Sequence, residues 1–162
     1  MPLVLTPLDD ALTERLLETA RVDATPEEVM PPVDGEPGWT RARETFFRAF
    51  HQERQAGLTG PHRTVMYAIM INDQPRGMIR LTLDADGATA ETGMWLARSA
   101  RGQGLGTRAL HALLAEAGKA GARAVRADTT PANRAAQAVL RRAGATLEPQ
   151  GDKVYARLEL GT

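Results

Sequence analysis

Between residues 101 and 107 the chain reads Arg-Gly-Gln-Gly-Leu-Gly-Thr, and this glycine cluster constrains the fold more than any other stretch. It follows Ala88 to Ala97, a segment that predicts a strand. It opens a segment from about Gly104 to Ala120, where Leu105, Ala109, Leu113 and Ala117 recur at helical spacing. Arg123 to Asp128 predicts the next strand, so residues 88–128 form one strand–helix–strand crossover with parallel neighbouring strands. Glycines let backbone N–H groups approach an anion closely, and a helix start adds unpaired donors and about half a unit of positive charge. The loop therefore suits a phosphate. Two common nucleotide motifs do not fit. Thr107 stands where a phosphate-loop lysine would follow the last glycine, and also where the dinucleotide fingerprint has its third glycine.

Upstream, Leu3 to Thr6 predicts a short strand, and Leu12, Leu16, Leu17 and Ala20 predict an amphipathic helix from Asp9 to about Val22. Residues 24–38 hold four prolines and two glycines and predict a long loop without helix or strand. Phe46, Phe47 and Phe50 predict a helix within Trp39 to Ala56, stopped by Gly57. Thr64–Ile71, Gly77–Leu83 and the 88–97 strand predict an antiparallel meander, with Asn72-Asp73-Gln74-Pro75 as its first turn. Pro131 to Arg142 predicts a helix with the proline near its first turn and Gly144 as its stop. Two strands follow, near Thr146–Glu148 and Lys153–Leu160. The order implies a mixed α/β sheet.

Composition narrows the function classes. Twenty basic against twenty acidic residues leave no formal charge, which argues against a nucleic-acid partner. The chain has no cysteine, which excludes a disulfide framework, Cys-ligated zinc, an iron–sulfur centre and a thiol nucleophile. His51, His62 and His111 share no ligand spacing, so no metal site is expected. No run approaches the roughly 18 apolar residues of a membrane span, and the opening MPLVLTPLDD lacks the basic region of a signal peptide. A cytoplasmic enzyme or binding domain is expected, as one unit over residues 1–162.

Arg101, Gly104 and Gly106, after Met94-Trp95-Leu96-Ala97 and before a helix, resemble the R-x-x-G-x-G pyrophosphate loop of the GNAT superfamily of N-acetyltransferases. Asn133, Ala136 and Gly144 resemble that family's N-x-x-A…G-F helix, with Ala145 in place of the phenylalanine. The resemblance covers about residues 64–160; earlier residues match only in general layout. It implies an α/β fold with a mixed, mostly antiparallel sheet of about six or seven strands flanked by about four helices. A splayed parallel pair would hold acetyl-CoA. Residues 1–63 would then form the acceptor side and 64–162 the acetyl-CoA core.

By the same resemblance, the loop Arg101, Gly102, Gln103, Gly104, Leu105 and Gly106 holds the pyrophosphate, with Thr107 close by. Met94, Trp95 and Leu96 bond the pantetheine arm, and an N–H near Leu96 polarises the thioester carbonyl. Asn133 contacts the pantetheine, although it also fits a plain helix cap. The acceptor is a primary amine. With a pKa near 10.4, about one lysine-like amine in 2500 is neutral at pH 7, so a general base lowers the barrier. Glu91 is the favoured base and Asp128 the second candidate. Leu140 stands where many members carry a tyrosine acid, and Tyr67 and Tyr155 are the only tyrosines, both expected as half-buried strand residues. Glu27, Glu28, Asp34 and Glu36, with Met30 and Trp39, lie in the loop joining the first two helices, where the resemblance implies acceptor specificity; acidic residues there suit a cationic amine, and equally fit a loop that is acidic because it is solvated. A small-molecule amine is the expected partner, with a protein N-terminus or lysine as the alternative and a non-catalytic acyl-CoA-binding domain as the rival class. Neither nucleic acid nor membrane is expected, and a homodimer is left open.

Overall fold

The computed structural model describes residues 1–161. In chain order its elements are β1 (Leu3–Pro7), α1 (Asp10–Asp23), α2 (Pro26–Val29), α3 (Arg41–Gln52), β2 (Thr64–Ile71), β3 (Gln74–Leu83), β4 (Thr89–Leu96), α4 (Leu105–Lys119), β5 (Ala124–Thr129), α5 (Arg134–Arg142), β6 (Thr146–Gln150) and β7 (Lys153–Glu159). All seven strands join one sheet in the order β1-β2-β3-β4-β5-β7-β6. Every neighbouring pair is antiparallel except β4–β5. The expected mixed fold, its meander and its parallel crossover are therefore all present.

β2 explains why the sheet has two cores. Its sequence TVMYAIMI is apolar almost throughout, as a strand covered on both faces must be. Met66, Ala68 and Met70 turn to one face, where they pack with Leu16, Leu17, Phe47 and Trp95 under α1 and α3. Tyr67 and Ile69 turn to the other, against Ala109, Leu113 and Ala117 of α4. Beyond β5 only one face is covered. Val154, Ala156 and Leu158 of β7 are buried, the latter two packing with Leu140 of α5, while Lys153, Tyr155, Arg157 and Glu159 alternate to solvent.

Four local expectations change. The 24–38 segment contains a helix after all. Pro26 occupies its start, and Thr25 and Glu28 form a capping box, which together outweigh the proline-rich composition. α3 is shorter than expected and begins at Arg41, capped by Thr40. The first hairpin needs only Asn72 and Asp73, at φ 49° and 60°, so Gln74 and Pro75 already belong to β3. Pro131 stands before α5 rather than in its first turn, because Asn133 is the cap: its Oδ1 accepts from Ala136 N at 3.1 Å.

Candidate active site

The glycine loop turns from a short 3₁₀ segment, Arg98–Ala100, into α4. Gly102 and Gly104 have φ of 76° and 77°, a conformation that side chains resist, and a Cβ at either would meet nothing within 4 Å. Backbone shape rather than crowding demands glycine there, and the face above stays open. The first helical bond is Arg108 N to Gly104 O. The amides before it have no partner within the helix and carry its positive end. Inside that first turn the Thr107 hydroxyl is buried without a hydrogen-bond partner. A Cβ at Gly106 would lie 3.2 Å from Val139, so this glycine lets α4 approach α5. Leu105 is buried against Ala97 and Ala100, and the Gln103 side chain braces the turn through Ser99 O at 2.9 Å. Arg101 donates Nε to Leu96 O at 3.2 Å and pairs with Glu28 of α2.

The parallel pair splays. β4 and β5 match only at Thr89, Ala90 and Glu91 against Ala124, Val125 and Arg126, and then part. The register shows which amides face the gap. Ala97 N bonds to Arg76 O on the β3 side, whereas Ala88 O accepts from Arg123 N on the β5 side. By alternation Thr92, Met94 and Leu96 turn their N–H groups into the gap. Trp95 does not share it: its backbone turns to β3, and its indole packs into the α1–α3 core. Below the gap lies a cavity of about 240 Å³ lined by Met94, Asp128, Asn133 and Leu140 among others. Leu140 is a buried core residue there and offers no proton.

On the α1–α3 side lies a cavity of about 560 Å³, walled by Met30, Met66, Met78, Met94, Phe50 and Trp95. Its polar lining includes Glu27, Glu28, Glu91, Arg54, Arg80 and His62. Glu91 stands at the last matched position before the splay. Arg80, from β3, approaches it at 2.9 Å through Nε and 2.7 Å through Nη2, both on Oε1. Gly93 makes that pair accessible, since a Cβ there would lie 2.3 Å from Arg80 Nη1. The mid-strand glycine was a visible signal; Arg80 gave none, because only the register brings it across from Gly93. Arg54 is held by Phe50, with its guanidinium carbon 3.8 Å from the ring centroid and Nη1 2.8 Å from the carbonyl. Among the described residues Glu27 has no ion-pair partner.

A third cavity, about 580 Å³, runs along the uncovered face of β5 and β7 and brings Glu91 and Asp128 together with Tyr155. Asp128 is paired with Lys153 at 3.5 Å. Neither tyrosine is half-buried as expected: Tyr155 is exposed opposite Asp128, and Tyr67 is buried, its phenol pushed up by burial and then by Glu116. His62 lines the 560 Å³ cavity, His111 is exposed, and His51 is buried in α3. No cluster of potential metal ligands occurs among the described residues.

Residues 3–146 match the family model of the acetyltransferase (GNAT) domain. No protein of curated function matches the sequence. Among solved structures, the chain is similar to RimL, a ribosomal L7/L12 alpha-N-protein acetyltransferase in complex with coenzyme A, at TM-score 0.75 and 20% identity over 98% of this chain and 94% of that one. It is similar to the N-acetyltransferase PseH of Campylobacter jejuni in complex with acetyl coenzyme A, at TM-score 0.71 and 12% identity over 99% and 100%. It is also similar to MccE, the microcin C7 self-immunity acetyltransferase, in complex with acetyl-CoA and AMP, at TM-score 0.75 and 16% identity over 98% and 92%. At these identities the likeness speaks for the fold, and the family model, spanning most of the sequence, for the lineage: the chain belongs to the GNAT acetyltransferases.

Proposed function

We propose that the protein moves the acetyl group of acetyl-CoA directly onto the primary amine of a small molecule with an apolar body, Glu91 serving as the base. The observation that carries this reading is the place of Glu91. It stands where β4 and β5 part, at the meeting of the gap, the methionine-walled cavity and the open sheet face.

The residues present fit an acyl-CoA. Gly102 and Gly104 leave an open face over the loop, the first turn of α4 offers free amides, and Thr107 keeps a buried hydroxyl in want of a partner. Arg101 to Thr107 would hold the diphosphate, and Met94 and Leu96 would bond the pantetheine as an added strand, with Asn133 and Asp128 on the far wall. When bound, acetyl-CoA supplies a thioester carbonyl open to attack by an amine. The gap-facing N–H of Leu96 would donate toward the carbonyl oxygen. Glu91 accepts the amine proton on Oε2, because Arg80 occupies Oε1. Arg80 thus orients the base, and Gly93 gives Arg80 room. The acidic rim at Glu27 suits an ammonium, and the flexible methionines suit an apolar body.

The test is a thiol-release assay with small primary amines and N-terminal peptides side by side, on the wild type and Glu91→Gln. Acetylation of apolar small amines, lowered about 100-fold or more by the substitution with CoA affinity unchanged, is the expected result. Preference for peptides would move the acceptor to proteins. CoA binding without any turnover would make the domain non-catalytic.

A further inference from the structure

Glu28 lies in α2, on the wall of the methionine-lined cavity, and its carboxylate reaches out of that cavity to the glycine loop. Oε1 accepts from Thr25 N at 2.8 Å and Thr25 Oγ1 at 3.0 Å, closing the capping box. Oε2 takes Arg101 Nη2 at 2.5 Å, and Arg98 Nη2 stands 3.7 Å from Oε1. One carboxylate therefore answers both arginines at the start of the loop, Arg98 and Arg101. Burial by itself would raise the Glu28 carboxyl, but the bonds from Arg101 and Thr25 outweigh it and hold the group below its ordinary value. It is a carboxylate at neutral pH. The side chain is 31% exposed and those of Arg101 and Arg98 are 44% and 58% exposed, so the contact is open to exchange.

A diphosphate on this loop brings about two negative charges next to Arg101, and a guanidinium engages a phosphate more strongly than one exposed carboxylate. The two anions compete for the same cation. We propose that Glu28 is an exchangeable counter-ion: it neutralises Arg101 in the ligand-free protein and is released to the acceptor cavity when the diphosphate takes that arginine. The proposal rests on the reading of the glycine loop as the diphosphate site. The same carboxylate then serves twice, first as a placeholder for the phosphate and afterwards as an anion facing the ammonium of the acceptor. Acetyl-CoA binding first prepares the second site, and by linkage each ligand strengthens the other.

The experiment is calorimetric titration of CoA, and of pantetheine, which lacks the diphosphate, into the wild type, Glu28→Gln, Arg101→Gln and the double variant. Glutamine still closes a capping box, so α2 keeps its start. Removing the competitor should tighten CoA by about two- to fivefold, the worth of an exposed ion pair. Pantetheine should bind the wild type and Glu28→Gln equally, and Glu28→Gln should change nothing when Arg101 is already glutamine. Unchanged or weaker CoA binding in Glu28→Gln overturns the proposal, as does an equal gain for pantetheine or a gain that survives without Arg101. A wild type that does not bind CoA at all refutes the underlying reading of the loop, which is a different result.

Discussion

His51 shows how much one side chain can be altered by where the fold puts it. It is 1% exposed, and its Nδ1 lies 2.7 Å from Phe47 O, which fixes the proton there and leaves Nε2 buried without a partner. Burial lowers its pKa from 6.5 to about 4, with the Phe47 bond opposing and Arg54 adding to the shift. The unfolded chain protonates at ordinary pH values and the folded chain resists, so stability falls as pH drops through 6.5 and levels off below about 4. The full loss is about 3 kcal/mol. Denaturant unfolding at pH 7, 5.5 and 4 should follow that slope, and His51→Leu should flatten it; an unchanged slope in the variant would refute the assignment. Residue identity in the sequence could not announce this, since a histidine between Phe50 and Gln52 reads as any helix position until tertiary packing closes over it. Glu91 was a candidate through the family resemblance alone, whereas the approach of Arg80 to it depended on cross-strand register.

The long loops and short helices carry a similar lesson at the level of elements. Helical spacing found α1, α3 and α4, and apolar runs bounded by turn residues found the meander strands, because each signal extends over several residues. Neither could find α2, where a cap and a proline act locally, or the device that orders residues 33–38. That device is Arg43, 5% exposed in α3. Its guanidinium donates to Val33 O at 2.8 and 3.1 Å, Gly38 O at 2.6 Å, and the carbonyl of Glu36. A loop that packs only through Val33 is thus tied to a helix by one cation. Arg43→Ala leaves several carbonyls without donors and should cost about 3 kcal/mol. It should also open 33–38 to proteolysis before the rest of the chain unfolds. Cleavage there at the wild-type rate would show that the loop is ordered by something else.

Taken whole, the molecule has a cavity on either side of β4, and on the proposed reading the two ligands would approach that strand from opposite sides. The gap side of β4 offers amides, and the other side offers Glu91 and Trp95 to the methionine-walled cavity. The crossover and its parallel pair were legible in the strand–helix–strand order of residues 88–128; the point at which β4 and β5 separate was not, because it depends on tertiary pairing. Thermal unfolding tests the arrangement directly. CoA at a hundred times its Kd should add about 2.7 kcal/mol, roughly 5–10 °C for a chain of this size, with ATP giving much less. An equal rise with ATP would sink the assignment. The splay also has a mechanical meaning. Within the sheet, β1 to β4 on one side and β5 to β7 on the other are joined by three matched residue pairs and the bond from Arg123 to Ala88, with Val125 packed under α4 as the bridge beneath. The N-terminal strand belongs to the first group and the C-terminal strand to the second. Of the sheet's joints, that seam has the fewest matched pairs, so a chain stretched from its ends should part there first. A molecule lying in the gap should act as a rivet, raising the rupture force read by single-molecule pulling; a force unchanged by CoA would refute this.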